Sequence, residues 1–306
     1  DRDVRCYIGV DPTASSLHVG SLVPIMALSN LQRGGLDPIA IVGGGTAMVG
    51  DPSGKTEMRR MLTREQIEEN MKGIIRQLQK YIRFGEGEAL LLNNADWLAD
   101  LSYIEFLREV GVHFSVNRML KAECFATRLE KGLSFIEFNY MLMQAYDFVH
   151  LAQEYNCMVQ LGGSDQWGNI CAGKDLAHRA HGTSLFGREI TRGDKTVGVT
   201  FPLLKKSSGT KFGKTEGGNV WLGSERTSVY DFFQFWRNTD DADIRRIMAL
   251  FTFIPMPEVR RLTSGKTGEQ LNTAKEITAF AAASLAHGVR PALAAADTAR
   301  GRFGGY

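Results

Sequence analysis

The chain has 306 residues, 43% of them hydrophobic and 23% charged, which excludes a disordered protein and leaves room for one large domain or two modest ones, each with its own core. Thirty-six Lys and Arg stand against 34 Asp and Glu, a formal charge of +2, so no global basic field marks a nucleic-acid binder and any such contact has to be local. An apolar run of about 18 residues, the length at which a membrane-spanning helix becomes plausible, is absent. The four cysteines, Cys6, Cys124, Cys157 and Cys171, form no C-x-x-C pair, which argues against a zinc ribbon and reads as free thiols in a reducing compartment. The sequence starts at Asp1 with no targeting pattern.

In chain order, Arg5–Val10 reads as a short buried strand stopped by Asp11-Pro-Thr13. Ser15 or Ser16 is a candidate cap for a helix from Leu17 to about Gln32, ended by Gly34-Gly35. Pro38–Val42 is the next strand, followed by a glycine loop over 43–55. Thr63 and Gln66 form a capping-box pattern, and Ile67, Met71, Ile74, Ile75, Leu78 and Ile82 then recur at helical spacing. Ala89–Asn93 is a third strand, residues 97–155 read as mostly helical, and Met158–Leu161 is a further strand. From Trp221 onward the pattern is helical, with breaks at Gly288 and Pro291. Strands alternating with helices indicate a parallel α/β sheet. The boundary expected from composition lies near 218–222, giving a first domain over 1–220 and a helical domain over 221–306.

Four places can carry chemistry. At Asp11-Pro-Thr-Ala-Ser-Ser-Leu-His-Val-Gly20 a strand turns into a helix, and free N–H groups at such a start make an anion site within reach of His18; an ordinary capped helix with a surface histidine is the plain alternative. Gly50-Asp-Pro-Ser-Gly-Lys-Thr56 approaches a P-loop but has three residues between its glycines instead of four, and Gly43-x-Gly45 lacks the third glycine of a dinucleotide fingerprint. On the helix around 135–155, Tyr140, Gln144 and Asp147 share an arc of roughly 60° at about 100° per residue, a polar stripe on a largely apolar helix. Burying Asp147 alone costs several kcal/mol in order of magnitude, so a donor has to meet it, either a protein group or a ligand hydroxyl. Lys211-Phe-Gly-Lys-Thr215 sets two lysines in a Gly/Ser-rich loop that can neutralise polyphosphate charge. His178-x-x-His181 lacks a third ligand, so no metal site is expected.

Together, Tyr7-x-Gly-x-Asp-Pro-Thr13, Leu17-His-Val-Gly20, Gly50-Asp-Pro-Ser-Gly54, Tyr140-x-x-x-Gln-Ala-Tyr-Asp147, Gln160-x-Gly-Gly-Ser-Asp-Gln-Trp-Gly168 and Lys211-Phe-Gly-Lys-Thr215 resemble the bacterial and organellar tyrosyl-tRNA synthetases, class I aminoacyl-tRNA synthetases, in order from about Tyr7 to Val259. The resemblance implies a Rossmann-type parallel sheet with helices on both faces, a helical dimerisation insert at about 97–155, and an all-helical domain after it. It implies that Tyr7 and Asp147 bond the substrate phenol, that Asp51, Tyr140 and Gln144 hold its ammonium group, and that Gln166 faces its carboxylate. His18 and Gly20 look like the HIGH signature, with Ser21 in place of the usual second histidine. Lys211, Lys214 and Thr215 look like the KMSKS loop. Gly9, Asp11, Thr13, Gly163 and Asp165 would lie along the nucleotide.

The implied reaction joins tyrosine to ATP, with Mg²⁺ on the polyphosphate, and then charges tRNA(Tyr). A homodimer in the bacterial cytoplasm or the mitochondrial matrix is implied, with an interface around Phe114–Leu120 and no membrane or DNA partner. A tryptophanyl-type paralogue and a non-catalytic RNA-binding relative are the rivals. The family usually adds a small S4-like RNA-binding domain, and the sequence reaches Tyr306 without one, so the expectation is adenylate formation with weakened tRNA charging.

Overall fold

The computed structural model describes residues 4–53, 61–130, 132–207, 209, 212–215 and 218–303. In chain order its elements are β1 (Arg5–Val10), α1 (Leu22–Arg33), β2 (Ile39–Val42), α2 (Arg64–Leu78), β3 (Leu90–Asn93), α3 (Ala95–Leu98), α4 (Tyr103–Glu109), α5 (Val116–Met119), α6 (Glu123–Leu129) and α7 (Phe135–Tyr155). There follow β4 (Cys157–Gly163), α8 (Trp167–Ala180), β5 (Ser184–Leu185), β6 (Arg188–Glu189), β7 (Val197–Phe201), β8 (Lys214–Thr215), β9 (Gly218–Asn219), α9 (Val229–Arg237), α10 (Ile244–Phe251), α11 (Met256–Thr263), α12 (Asn272–His287) and α13 (Val289–Phe303).

Five strands form one parallel sheet in the order β3-β2-β1-β4-β7. Parallel neighbours need crossover connections, and helices supply them. All four residues of β2 are buried, as expected of a strand covered on both faces. On one face Tyr7, Ile39 and Ile41 pack with Phe148 and Leu151 of α7. From β1 the chain builds outward through β2 and β3, then crosses to the other side for β4 and β7. That reversal opens a crevice at the carboxyl ends of β1 and β4, where open α/β sheets bind their ligands.

The helix read from Leu17 begins instead at Leu22, and neither Ser15 nor Ser16 caps it. Pro24 sits in the first turn of α1, where its missing N–H costs nothing, and this sets the start. Leu17 and Val19 are in use elsewhere, paired by backbone hydrogen bonds with Leu222 and Val220. Pro291 likewise lies in the first turn of α13, so Gly288, at φ 91°, is the break. The capping box of Thr63 and Gln66 is present. The strand β7 did not emerge from the sequence, because Val197-Gly-Val-Thr-Phe201 is short and half exposed.

The chain divides into two units, one of residues 1–15, 27–75 and 82–203, the other of residues 16–26, 76–81 and 204–306. Within this division the chain passes into the second unit at 203/204. Residues 16–19 join the second unit through Leu17 and Val19 and through Ser16, whose hydroxyl accepts from the Gly223 N–H at 2.9 Å. The second unit is helical beyond Trp221, with Phe232, Phe233 and Trp236 of α9 fully buried and the alanines of α12 and α13 at their contact. No helix of the described residues is long and apolar enough to cross a membrane.

The start of α7 is fixed in the first unit. Ser134 caps it by accepting from the Glu137 N–H, and the Glu137 carboxylate returns the bond to Ser134. The same carboxylate meets Arg128 of α6 at 3.0 Å, with both side chains almost fully buried. Arg128→Met leaves Glu137 charged and short of its partner, and is expected to cost about 3–5 kcal/mol in urea unfolding. Arg128→Met with Glu137→Leu is expected to recover most of that loss. A single variant within about 1 kcal/mol of wild type would remove the pair's assigned role.

Candidate functional site

Three carboxylates from three elements converge in the first unit. Asp11 follows β1, Asp51 ends the glycine loop after β2, and Asp147 lies on α7. Asp147 is 4% exposed, and its oxygens accept from Asn94 Nδ2 at 2.9 Å and Trp97 Nε1 at 2.7 Å. Both donors are neutral, so the charge is bonded without being cancelled. Burial pushes the carboxyl up to about 7, against the two hydrogen bonds and with help from Asp11. Asp11 accepts from the Tyr140 hydroxyl at 2.8 Å and from Thr46 Oγ1 at 2.7 Å. Asp51 accepts from Gln166 Nε2 at 2.7 Å and from the Ser53 N–H at 2.9 Å. Gln144 Nε2 reaches Gln166 Oε1 at 3.3 Å, and Asn169 Nδ2 joins Gln166 to Ser53.

Tyr7 projects from β1 onto the same face as α7, its ring 5.6 Å from Phe148. It is 2% exposed, and its hydroxyl has no hydrogen-bond partner among the described residues. The neighbouring position on β4 is Gln160, whose buried Oε1 also lacks one. Leaving a buried polar atom unpaired costs about 1–3 kcal/mol, so such atoms mark a place shaped for something polar that comes from outside. Burial, then the Asp147 charge, hold the Tyr7 hydroxyl well above its ordinary range, so it stays a neutral donor. Tyr140 is held up likewise, by burial and by Asp11 and Asp51.

The glycine run 43–45 serves close approach rather than a phosphate cradle. A Cβ on Gly43 would stand 2.1 Å from Asp11 Oδ1, and one on Gly44 would stand 2.4 Å from Asn93 Oδ1. The Gly44 N–H donates to Asn93 and the Gly45 N–H to Asn94. Gly50, at φ 89°, turns the loop so that Asp51 enters the network. Gly9 is the exposed residue of a central strand, with nothing within 4 Å of where its Cβ would be. Thr13 donates its N–H to Asp11 O, and Gly163 and Asp165 follow at the end of β4, where a Gly163 Cβ would meet Asp165 Oδ1 at 2.4 Å.

The second unit carries the remaining predicted residues. His18 caps a short 3₁₀ turn over Val19–Ser21, with Nδ1 accepting from the Gly20 N–H at 3.0 Å. That bond places the ring proton of a neutral imidazole on Nε2. Trp221 meets the ring edge-on at 6.0 Å, and Arg226 lies 3.5 Å over the Trp221 ring. Gly213, at φ 86°, packs against Gly20, and Phe212 beside it is buried against Phe251, Trp236 and Phe235. The loop and the histidine signature therefore meet. Lys211 lies outside the described residues, and Lys214 and Thr215 are described by their backbone alone.

The predicted set thus assembles as two groups, with Tyr7, Asp11, Asp51, Tyr140, Gln144, Asp147 and Gln166 in one unit and His18 and Gly20 in the other. Sequence reasoning passed over Thr46, Asn94, Trp97 and Asn169, which supply the network's donors. Asn93-Asn94 directly after an apolar strand was the available signal, since a strand end in this fold faces the crevice.

Among known proteins, the family model described as tRNA synthetases class I (W and Y) matches residues 1–304. The tyrosine–tRNA ligase of Desulfosudis oleivorans is 57% identical over 303 residues, 98% of this chain and 67% of that protein. The ligase of the same name from Clostridium botulinum is 54% identical over 302 residues, 99% of this chain and 71% of that protein. The C-terminally truncated mitochondrial tyrosyl-tRNA synthetase of Aspergillus nidulans superposes with a TM-score of 0.84 at 32% identity, covering 99% of this chain and 86% of that one.

The Asp147 geometry has a measurable consequence. Its carboxyl lies above its ordinary 3.8 in the folded state, so folding favours the protonated form. That stabilisation is complete below about pH 4 and is lost as pH rises through about 7. Relative to Asp147→Asn, the ligand-free wild type is expected to lose up to about 1.4 kcal/mol per pH unit across that window and to level off above it. Urea unfolding of both proteins between about pH 4.5 and 8 reads this directly. A difference constant with pH would show that burial does not raise the group.

Proposed function

The chain belongs to the class I tRNA synthetases (W and Y), and on that premise we propose that it is a tyrosine–tRNA ligase, converting L-tyrosine and ATP to tyrosyl-adenylate and pyrophosphate and then transferring tyrosine to the 3'-terminal ribose of tRNA(Tyr). The single observation that carries the choice of amino acid is the pair of Tyr7 and Asp147: a buried hydroxyl without a partner among the described residues beside a buried carboxylate held by two neutral donors. A phenol is both donor and acceptor, so it donates a hydrogen bond to Asp147 and accepts one from Tyr7. An indole offers only a donor and leaves Tyr7 unpaired, which disfavours the tryptophanyl reading.

In the first step the tyrosine carboxylate oxygen attacks the α-phosphorus. The bond to the bridging oxygen breaks, and pyrophosphate departs with that electron pair. No enzyme nucleophile takes part, so catalysis is positioning and charge stabilisation. Asp51 with Gln144 and Tyr140 orients the ammonium group, and Gln166, already bonded to Asp51, is assigned the carboxylate. Gly9, Thr13, Gly163 and Asp165 are assigned to the nucleotide. His18, through Nε2–H, and Lys211, Lys214 and Thr215 are assigned to the polyphosphate, which brings Mg²⁺ with it. In the second step a ribose hydroxyl attacks the anhydride carbonyl and AMP leaves.

A homodimer is supported by Ile104, Leu107, Val112 and Val116, which stay 75%, 39%, 71% and 56% exposed on α4, α5 and the turn between them. Such apolar side chains gathered on neighbouring short elements favour a partner surface. Ile104→Asp with Val112→Asp is expected to give a monomer in sedimentation velocity while the wild type sediments as a dimer. A monomeric wild type would remove this assignment.

Pyrophosphate exchange tests the chemistry. Wild type is expected to exchange with tyrosine and far less with phenylalanine. Tyr7→Phe is expected to reduce that discrimination by roughly tenfold, corresponding to about 1.4 kcal/mol, with a larger loss in Asp147→Ala. Equal exchange with both amino acids in wild type would overturn the specificity site, and no exchange with tyrosine would overturn the activity.

A further inference from the structure

The donor that reaches Asp147 most closely stands on a short element, its indole packed at the margin of the core. Trp97 sits on α3, a single turn of four residues without a side-chain cap and without a buried residue. Its indole is half-buried, yet it has to aim Nε1 at one carboxylate oxygen at 2.7 Å. What stacks on the ring is on α7. The His150 imidazole stacks on the indole with centroids 4.4 Å apart and planes 18° apart. His150 follows Asp147 by three residues, so one helix face presents both the carboxylate and the plate that orients its donor. Tyr146 and Tyr155 flank the imidazole at 6.2 Å and 6.1 Å, closing it in on its other sides.

We propose that His150 is a positioning and specificity-determining residue of the tyrosine site, acting through its stack on Trp97 to hold the indole N–H on Asp147. This rests on the function proposed above and extends it to a residue that no motif marked. The contact is one between two neutral rings. Burial, with Arg188 adding to it and Glu154 opposing it, pushes the His150 imidazole down to about 4. Glu154 and Arg188 pair with each other at 2.7 Å. Among the described residues the groups facing Asp147 are Asn94, Trp97, Tyr7, Tyr140, Tyr146 and Asp11, all neutral or acidic, so none of them is a cation that substitutes for the indole bond.

Without the plate, the indole loses one wall and its N–H loses direction. Asp147 then keeps one fixed donor, its ionised form is less favoured, and the phenol of the substrate meets a carboxyl that is neutral over more of the pH range. Discrimination by hydroxyl is weakened, while the distant phosphoryl chemistry is left alone.

The test is pyrophosphate exchange with tyrosine and phenylalanine in wild type, His150→Ala, His150→Phe, Trp97→Phe and the double variant His150→Ala with Trp97→Phe. In His150→Ala the KM for tyrosine is expected to rise about tenfold with kcat within threefold. The tyrosine preference should fall by a similar factor, and the acid limb of kcat/KM should move to higher pH. His150→Phe, which keeps a flat ring, is expected to restore most of each. The double variant should match Trp97→Phe alone, because both act on one bond. Thermal melts of His150→Ala and His150→Phe establish folding, and where the alanine variant melts early the phenylalanine and double variants still decide the matter. Additive losses, an unchanged tyrosine preference in a folded His150→Ala, or a His150→Phe as damaged as the alanine variant would overturn the proposal. A wild type that does not prefer tyrosine would overturn the underlying function instead.

Discussion

One buried negative charge organises the first unit. Asp147 lies on a largely apolar helix, and the two donors that bond it are neutral. A carboxylate taken out of water needs compensation, and here two neutral N–H groups supply only part of it. The remainder is an energetic demand that a hydroxyl from outside can meet. Much of the surrounding architecture serves that demand: the strand end that delivers Asn94, the single turn that delivers Trp97, and the central strand that sets Tyr7 on the same face.

The same reasoning separates two uses of glycine. In the sequence the run 43–45 looks like a phosphate loop with a wrong spacing. In the structure it is the floor against which Asp11 and Asn93 press, closer than a Cβ would allow, with Asn94 alongside. Backbone N–H groups of Gly44 and Gly45 are spent on side-chain carbonyls rather than on an anion. In the second unit glycine serves close approach as well, where a Cβ on Gly213 would stand 3.1 Å from the Gly20 nitrogen.

Much of this was legible in the sequence, for physical reasons. Buried parallel strands announce themselves as unbroken apolar runs, and the polar stripe of Tyr140, Gln144 and Asp147 stood out because such residues are costly inside a helix. What stayed hidden depended on long-range pairing. The helix expected at Leu17 starts at Leu22, since Leu17 and Val19 pair with a segment about two hundred residues away. Asn94, Trp97 and Asn169 carry no motif, and their roles exist only once three strand ends meet. His150 is less visible still, because an aromatic stack leaves no periodic trace. The family resemblance supplied roles for Tyr7 and Asp51 that spacing could not, and the match over residues 1–304 establishes the family itself.

Asn94 gathers several of these threads in one side chain. Its carbonyl accepts from the Gly45 and Thr46 N–H groups, and its amide nitrogen donates to Thr46 and Asp147. Every polar atom is committed, so the amide cannot flip to greet a different ligand. Anyone redesigning this enzyme for an amino acid with another para substituent therefore faces a linked choice. Exchanging the aspartate alone strands two inward-facing donors, whereas altering the asparagine unfastens the loop beneath it. The donors, the carboxylate and the loop would have to be recast as one unit.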